Sequence, residues 1–173
     1  MDRIYLKQIE EDFEGININE LKREAEQIIL DCYNSIEKKN TEKLKGKIKS
    51  FAEKKINEYK NKNITFTNFK IHNTVISNYK KTASTATIYF SSSYEYYEET
   101  EKEKIKKQDR AKVEFIYVID ETKLDKKENL IGLHCPNCGS PITSLKNKRC
   151  NYCNTEVKEI IKRVFICNDI YTY

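Results

Sequence analysis

The segment "HCPNCGSPITSLKNKRCNYCNTEV", His134 to Val157, constrains the fold more than any other, because it gathers four of the chain's six cysteines into two CxxC pairs, Cys135/Cys138 and Cys150/Cys153. Two residues between cysteines let both sulfurs converge on one ion, while the turn amides hydrogen-bond to the thiolates and spread their charge. Two such knuckles across a short polar spacer predict one structural zinc ion (Zn2+), closed in a tetrahedron of four thiolates. Gly139 follows the first pair and Asn154 holds the matching place in the second. Both residue types tolerate a left-handed backbone, so the two turns are expected to close alike. The ion would fold a segment too small to fold alone. His134, beside Cys135, is the alternative ligand and ranks behind the four cysteines.

Two disulfides or a redox pair would need an oxidising compartment or a CxxC at the start of a helix. The opening "MDRIYLKQIEEDFEG" carries charge throughout and does not read as a signal peptide. Reduced thiolates and a cytoplasmic location are the expectation. Among the 173 residues 34% are charged and the net charge is +5, yet Lys and Glu are interleaved rather than segregated, a balance that favours solubility first and nucleic acid second. No run approaches the roughly twenty apolar residues of a membrane span.

Leu21, Ala25, Ile28, Ile29, Cys32, Tyr33 and Ile36 recur at the spacing of one helical face, and Asn17 stands three residues before Glu20 as in a capping box. These predict a helix from about Ile18 to Lys38. Leu44, Ile48, Phe51, Ala52, Ile56 and Tyr59 predict a second, from about Thr41 to Lys60. Cys32 falls on the buried stripe and reads as a small core residue.

After Asn63 the period becomes that of strands. "ITFTNFKIHNTVIS" places Ile64 and Phe66 on one face, then slips near Asn68 to Phe69, Ile71 and Val75, as a bulge would. In "ASTATIYFSSSYEYY" Ala86, Ile88 and Phe90 alternate with Thr85, Thr87 and Tyr89. In "KVEFIYVID" Val113, Phe115, Tyr117 and Ile119 alternate with Glu114, Ile116 and Val118. Tyr94 to Arg110 reads as an exposed strand end and a solvated hairpin loop, with a tyrosine-rich binding rim as the sharper alternative. His72 has no cysteine or carboxylate at motif spacing and reads as structural. Val164, Phe165, Ile166 and Cys167 predict a last strand that returns to the main sheet.

These elements predict an α+β fold in which two N-terminal helices pack on a curved antiparallel sheet of about four strands, a cystatin-like cone. A four-cysteine zinc ribbon, residues 128–157, is inserted before the last strand; residues 1–127 and 158–173 form the main domain. The helical hairpin, "KVEFIYVID" and the late "CPNCGSPI…CNYCNTEV" together resemble, from about Asn17 to Tyr171, bacterial proteins with a domain similar to the C-terminal domain of the mitochondrial inner-membrane translocase subunit 44. That domain belongs to the nuclear-transport-factor-2-like, cystatin-like class. The mitochondrial member is a scaffold that contacts acidic lipid. The resemblance implies a non-catalytic interaction domain with an apolar pocket between helices and sheet.

Function therefore reads first as a binding or scaffold module with a protein partner. Neither a phosphate loop, nor a serine elbow, nor a zinc site with an open position is visible, so catalysis is not expected. Nucleic acid is the second partner class, through Lys146, Lys148, Arg149 and Tyr152 at the ribbon tip, a candidate contact surface. Membrane docking would use the same lysines but lacks a basic amphipathic helix. An enzymatic or ligand-binding cone comes third and would need Glu114 and Tyr89 to face inward, which a one-residue slip would bring about. The oligomeric state is left open.

Overall fold

A computed structural model describes residues 2–120, 135, 137–140, 149–156 and 165–173. Three helices, α1 (Asp2–Asp12), α2 (Ile18–Lys38) and α3 (Gly46–Glu58), precede β1 (Thr65–Lys81), β2 (Thr85–Glu99) and β3 (Lys104–Val118), and β4 (Ile166–Thr172) ends the chain order. The strands form one antiparallel sheet in the order β1-β2-β3-β4. The class is α+β, and the last strand joins the main sheet as its composition predicts. The boundaries expected at 127/128 and 157/158 lie outside the described residues, as do His134, Lys146 and Lys148.

Helix α2 has the predicted bounds because both of its ends are encoded locally. Asn17 Oδ1 accepts the Glu20 amide at 3.1 Å, satisfying one of the free donors of the first turn. At the other end Lys39 takes φ 52°, and the amides of Lys39 and Asn40 return to the carbonyls of Ile36 and Ser35, the paired bonds of a Schellman stop. Its stripe buries Ala25, Ile29, Cys32 and Tyr33 against Ile88, Phe90, Tyr94 and Val113 of the sheet. Helix α3 is shorter than expected. It starts at Gly46, where φ of 57° turns the chain, and Leu44 belongs to the preceding turn. Helix α1 was not expected: its charged sequence buries only Ile9 fully, and it is held to β1 by polar anchors. Asp2 Oδ1 accepts the Ile76 amide at 2.7 Å, and Asp12 accepts the Tyr79 hydroxyl at 2.8 Å. Among the described residues, no helix is long and apolar enough to cross a membrane.

Strand β1 carries the predicted irregularity near Asn68, whose φ is 51°, between Thr67 and Lys70. Two further shifts lie between Ile71 and Asn73 and between Ile76 and Asn78. The second of the three corrects the expected face: Val75 is only half-buried, and Ile76 enters the core instead. Tyr94 to Arg110 is also corrected. Strands β2 and β3 run through it with unbroken register, from Thr85↔Val118 to Glu99↔Lys104, and only a tight turn separates them. No glycine marks that turn; the Thr100 hydroxyl sits 3.2 Å from the Glu103 amide and closes it. Ile116 and Val118, which share the Glu114 face, are buried together with Thr85 and Thr87, so both faces of the sheet are buried at that end.

The two edges of the sheet differ. Along β1, Glu37 accepts the Phe66 amide and Asp2 that of Ile76, and the bulges bend the strand. Strand β4 pairs with β3 only over Ala111–Ile116. The remainder of β3, 104–109, is paired on its β2 side alone among the described residues.

Candidate metal centre

The two CxxC turns have the same backbone. In the first, the Gly139 amide donates to the Cys135 carbonyl at 2.9 Å and the Cys135 amide to the Ser140 carbonyl at 2.9 Å. In the second, Asn154 donates to Cys150 at 2.9 Å and Cys150 to Thr155 at 2.8 Å. The left-handed position predicted for each is observed, with φ of 72° at Gly139 and 61° at Asn154. The Tyr152 amide donates to the Cys150 sulfur at 3.4 Å.

This duplication brings all four sulfurs within 4.8 Å of one another. The Cys135 and Cys153 sulfurs are 3.4 Å apart, and those of Cys138 and Cys150 3.6 Å. A tetrahedral thiolate site with metal–sulfur bonds of about 2.3 Å has edges of about 3.8 Å, whereas a disulfide needs about 2.05 Å. The described cysteines are all free thiols. The donor set therefore fits one thiophilic ion held by four ligands, which leaves no open position for substrate or water. Cys135 and Cys150 are buried, while Cys138 is exposed.

Two hydroxyls missing from the sequence reading complete the site. Ser140 Oγ lies 3.2 Å from the Cys138 sulfur, and Thr155 Oγ1 lies 3.0 Å from that of Cys153. Asn137 ties the turns together by donating to Thr155 Oγ1 at 3.1 Å. The signal was present as an internal repeat, since "CPNCGS" and "CNYCNT" both read C-x-x-C, then Gly or Asn, then Ser or Thr. These hydroxyls, with the backbone amides beside them, hold the Cys138 thiol below its usual value and bring Cys153 down to about 6, favouring thiolates at those two positions; at Cys135 the amides of Cys138 and Asn137 pull down, but burial and the neighbouring sulfurs leave the thiol raised.

Of the expected contact surface, Arg149 and Tyr152 are described. Arg149 donates to the Asn154 carbonyl and pairs with Glu156 in an isolated bridge, so it braces the second knuckle. Tyr152 is 72% exposed.

The remaining candidate groups lie on α2 and the sheet. Cys32 is buried, and burial pushes its thiol up to about 12. His72 meets Glu95 across the β1/β2 ladder at 3.3 Å, a partner hidden from sequence spacing. Tyr89 and Glu114 are cross-strand neighbours on the face opposite Ile88, Phe90, Val113 and Phe115, so neither points into the helix-covered core. Between α2 and the sheet, Tyr33, Phe66, Phe69, Tyr94 and Tyr96 pack ring on ring with centroids 5.0–6.1 Å apart. The Tyr33 and Tyr94 hydroxyls share a 3.0 Å hydrogen bond inside this cluster.

Neither a protein family, nor a curated protein, nor a solved structure matches this chain.

Proposed function

We propose that this chain is a non-catalytic binding module, with a cystatin-like main domain into which a zinc ribbon is inserted between β3 and β4, and that its partner is a protein. The single observation that carries the reading is the closure of four sulfurs around one point within a duplicated turn. An ion held by four thiolates can staple the segment but has no coordination position with which to activate water. Filling of the space under α2 by aromatic rings supports binding at the surface rather than chemistry in a cone. The resemblance to the translocase subunit 44 C-terminal domain points the same way, toward a scaffold.

The test is metal content by mass on protein purified without added zinc. One zinc per chain, lost on Cys138→Ser together with the fold of the knuckles, is the expected result. Zinc-free protein with oxidised pairs would sink the staple. A parallel titration with mixed-sequence nucleic acid at low and moderate salt decides the partner class. Salt-sensitive binding abolished by Lys146→Ala, Lys148→Ala and Arg149→Ala would replace the protein partner with nucleic acid.

A further inference from the structure

Where a strand outlasts its neighbour, its backbone donors and acceptors are left without partners, and among the described residues β3 does so over Lys104–Asp109. The Tyr173 amide donates to the Arg110 carbonyl at 3.3 Å, so Arg110 turns its backbone groups toward the β4 side. The two-residue period of a strand makes Gln108, Lys106 and Lys104 do the same. Their amides and carbonyls therefore face outward in line with β4. Lys104, Ile105, Lys106, Lys107 and Gln108 are all exposed, and the β2/β3 register beneath them is regular.

Edges of this kind are normally blunted by bulges, by covering side chains or by lysines that project across them. Strand β1 has the first two. On β3 the lysines are present, but their head groups are drawn back over β2: Lys104 Nζ lies 2.8 Å from Glu99 and Lys106 Nζ 3.0 Å from Glu95. Among the described residues, no side chain is drawn across the backbone of this edge. Ile105, on the other face, is 38% exposed.

We propose that the edge of β3 over Lys104–Asp109, unpaired among the described residues, is a strand-addition site for an extended acidic segment of a partner protein. Main-chain bonds to Lys104, Lys106 and Gln108 would hold the segment, and side chains would select it. Charge decides which segment fits. "KIKKQDR" offers four cations and one carboxylate, and Glu95 and Glu99 lie on the far side of the lysines. Acidic residues opposite Lys104 and Lys106, with apolar residues on the face of Ile105, complement it. A second copy pairing edge to edge would set lysine against lysine, which like-charge repulsion disfavours. The proposal rests on the protein-partner reading above and names the site and the chemistry of that partner.

The probe is a synthetic decapeptide of alternating Glu and Val, added to the isotope-labelled full chain, with amide exchange followed by NMR. The expected result is exchange slowed on the order of tenfold at Lys104, Lys106 and Gln108. Lys106→Pro removes a donor that faces the open edge and none that faces β2, so it should weaken the peptide about tenfold while metal content stays unchanged; its lost pairing with Glu95 lowers melting temperature without touching the edge donors of Lys104 and Gln108. Should that variant unfold, the triple variant Lys104→Glu, Lys106→Glu, Lys107→Glu serves instead, and is expected to exchange the Glu/Val peptide for a Lys/Val one. Exchange unchanged at the three amides, protection confined to another surface, or stronger protection by a single-stranded oligonucleotide each overturns the proposal. Protection of the same amides that grows with protein concentration alone would make a second copy the occupant and overturn it too. Metal content on the same samples reports on the stapled module independently.

Discussion

Lys39 occupies a backbone position that suits glycine, and the side chain costs stability there. A left-handed φ of 52° brings Cβ close to a carbonyl oxygen, a strain of about 1 kcal/mol for a residue other than glycine. The Schellman bonds hold it in place regardless. Lys39→Gly is therefore expected to raise stability by roughly 0.5–1 kcal/mol, and Asn17→Ala at the opposite end of α2 to lower it by about 1 kcal/mol. Urea unfolding measures both. Inside the aromatic cluster the sign reverses. Tyr33→Phe removes one hydroxyl of the buried 3.0 Å pair and leaves Tyr94 short of a partner, at a cost of about 1–3 kcal/mol. A variant as stable as the parent would show that the pair contributes nothing.

At the scale of elements, α1 tests polar anchoring. Asp2 reaches the Ile76 amide at 2.7 Å and Lys22 at 3.2 Å, bridging helix to strand and helix to helix. Asp2→Ala should cost about 1–3 kcal/mol, and the Ile76 amide should exchange faster while Ile88 and Val113 keep their protection. Uniform change at all three would mean that α1 does not act locally. Such anchors also explain what the sequence hid. Helix α2 was legible because its cap and stripe are neighbours in the chain, and both knuckles were legible for the same reason. Helix α1 has a thin apolar stripe, and its partners lie on β1. The basic half of β3 looked like a loop because Lys104 and Lys106 find their carboxylates on β2, across a ladder that no local pattern announces. The extra bulges of β1, which send Ile76 inward in place of Val75, were invisible in the same way.

For the whole molecule, acid titrates the ion pairs that fasten its parts together. Lys81 and Tyr79 hold the Asp12 carboxyl below its usual value, and Lys106 with Gln108 brings Glu95 down to about 2. A carboxylate whose folded value is depressed contributes stability that is complete above its unfolded value of about 4 and lost as pH falls through the folded one. Melting temperature should thus decline between pH about 4 and about 2, and Asp12→Asn with Glu95→Gln should flatten that slope. An unchanged slope would mean that these pairs survive unfolding or matter little.

The pairing of Ile116 with Ile166 has a kinetic consequence. The chain that leaves β3 must wander through the whole cysteine-bearing segment before it returns one ladder rung away, so docking of β4 is a slow, long-range search. With zinc in the proposed site, the stretch from Cys135 to Cys153 would be withdrawn from that search. Shortening the free loop from 49 to about 30 residues is worth about 0.4 kcal/mol, roughly twofold in rate. The ion would then hasten the arrival of the last strand from a distance, touching neither β3 nor β4.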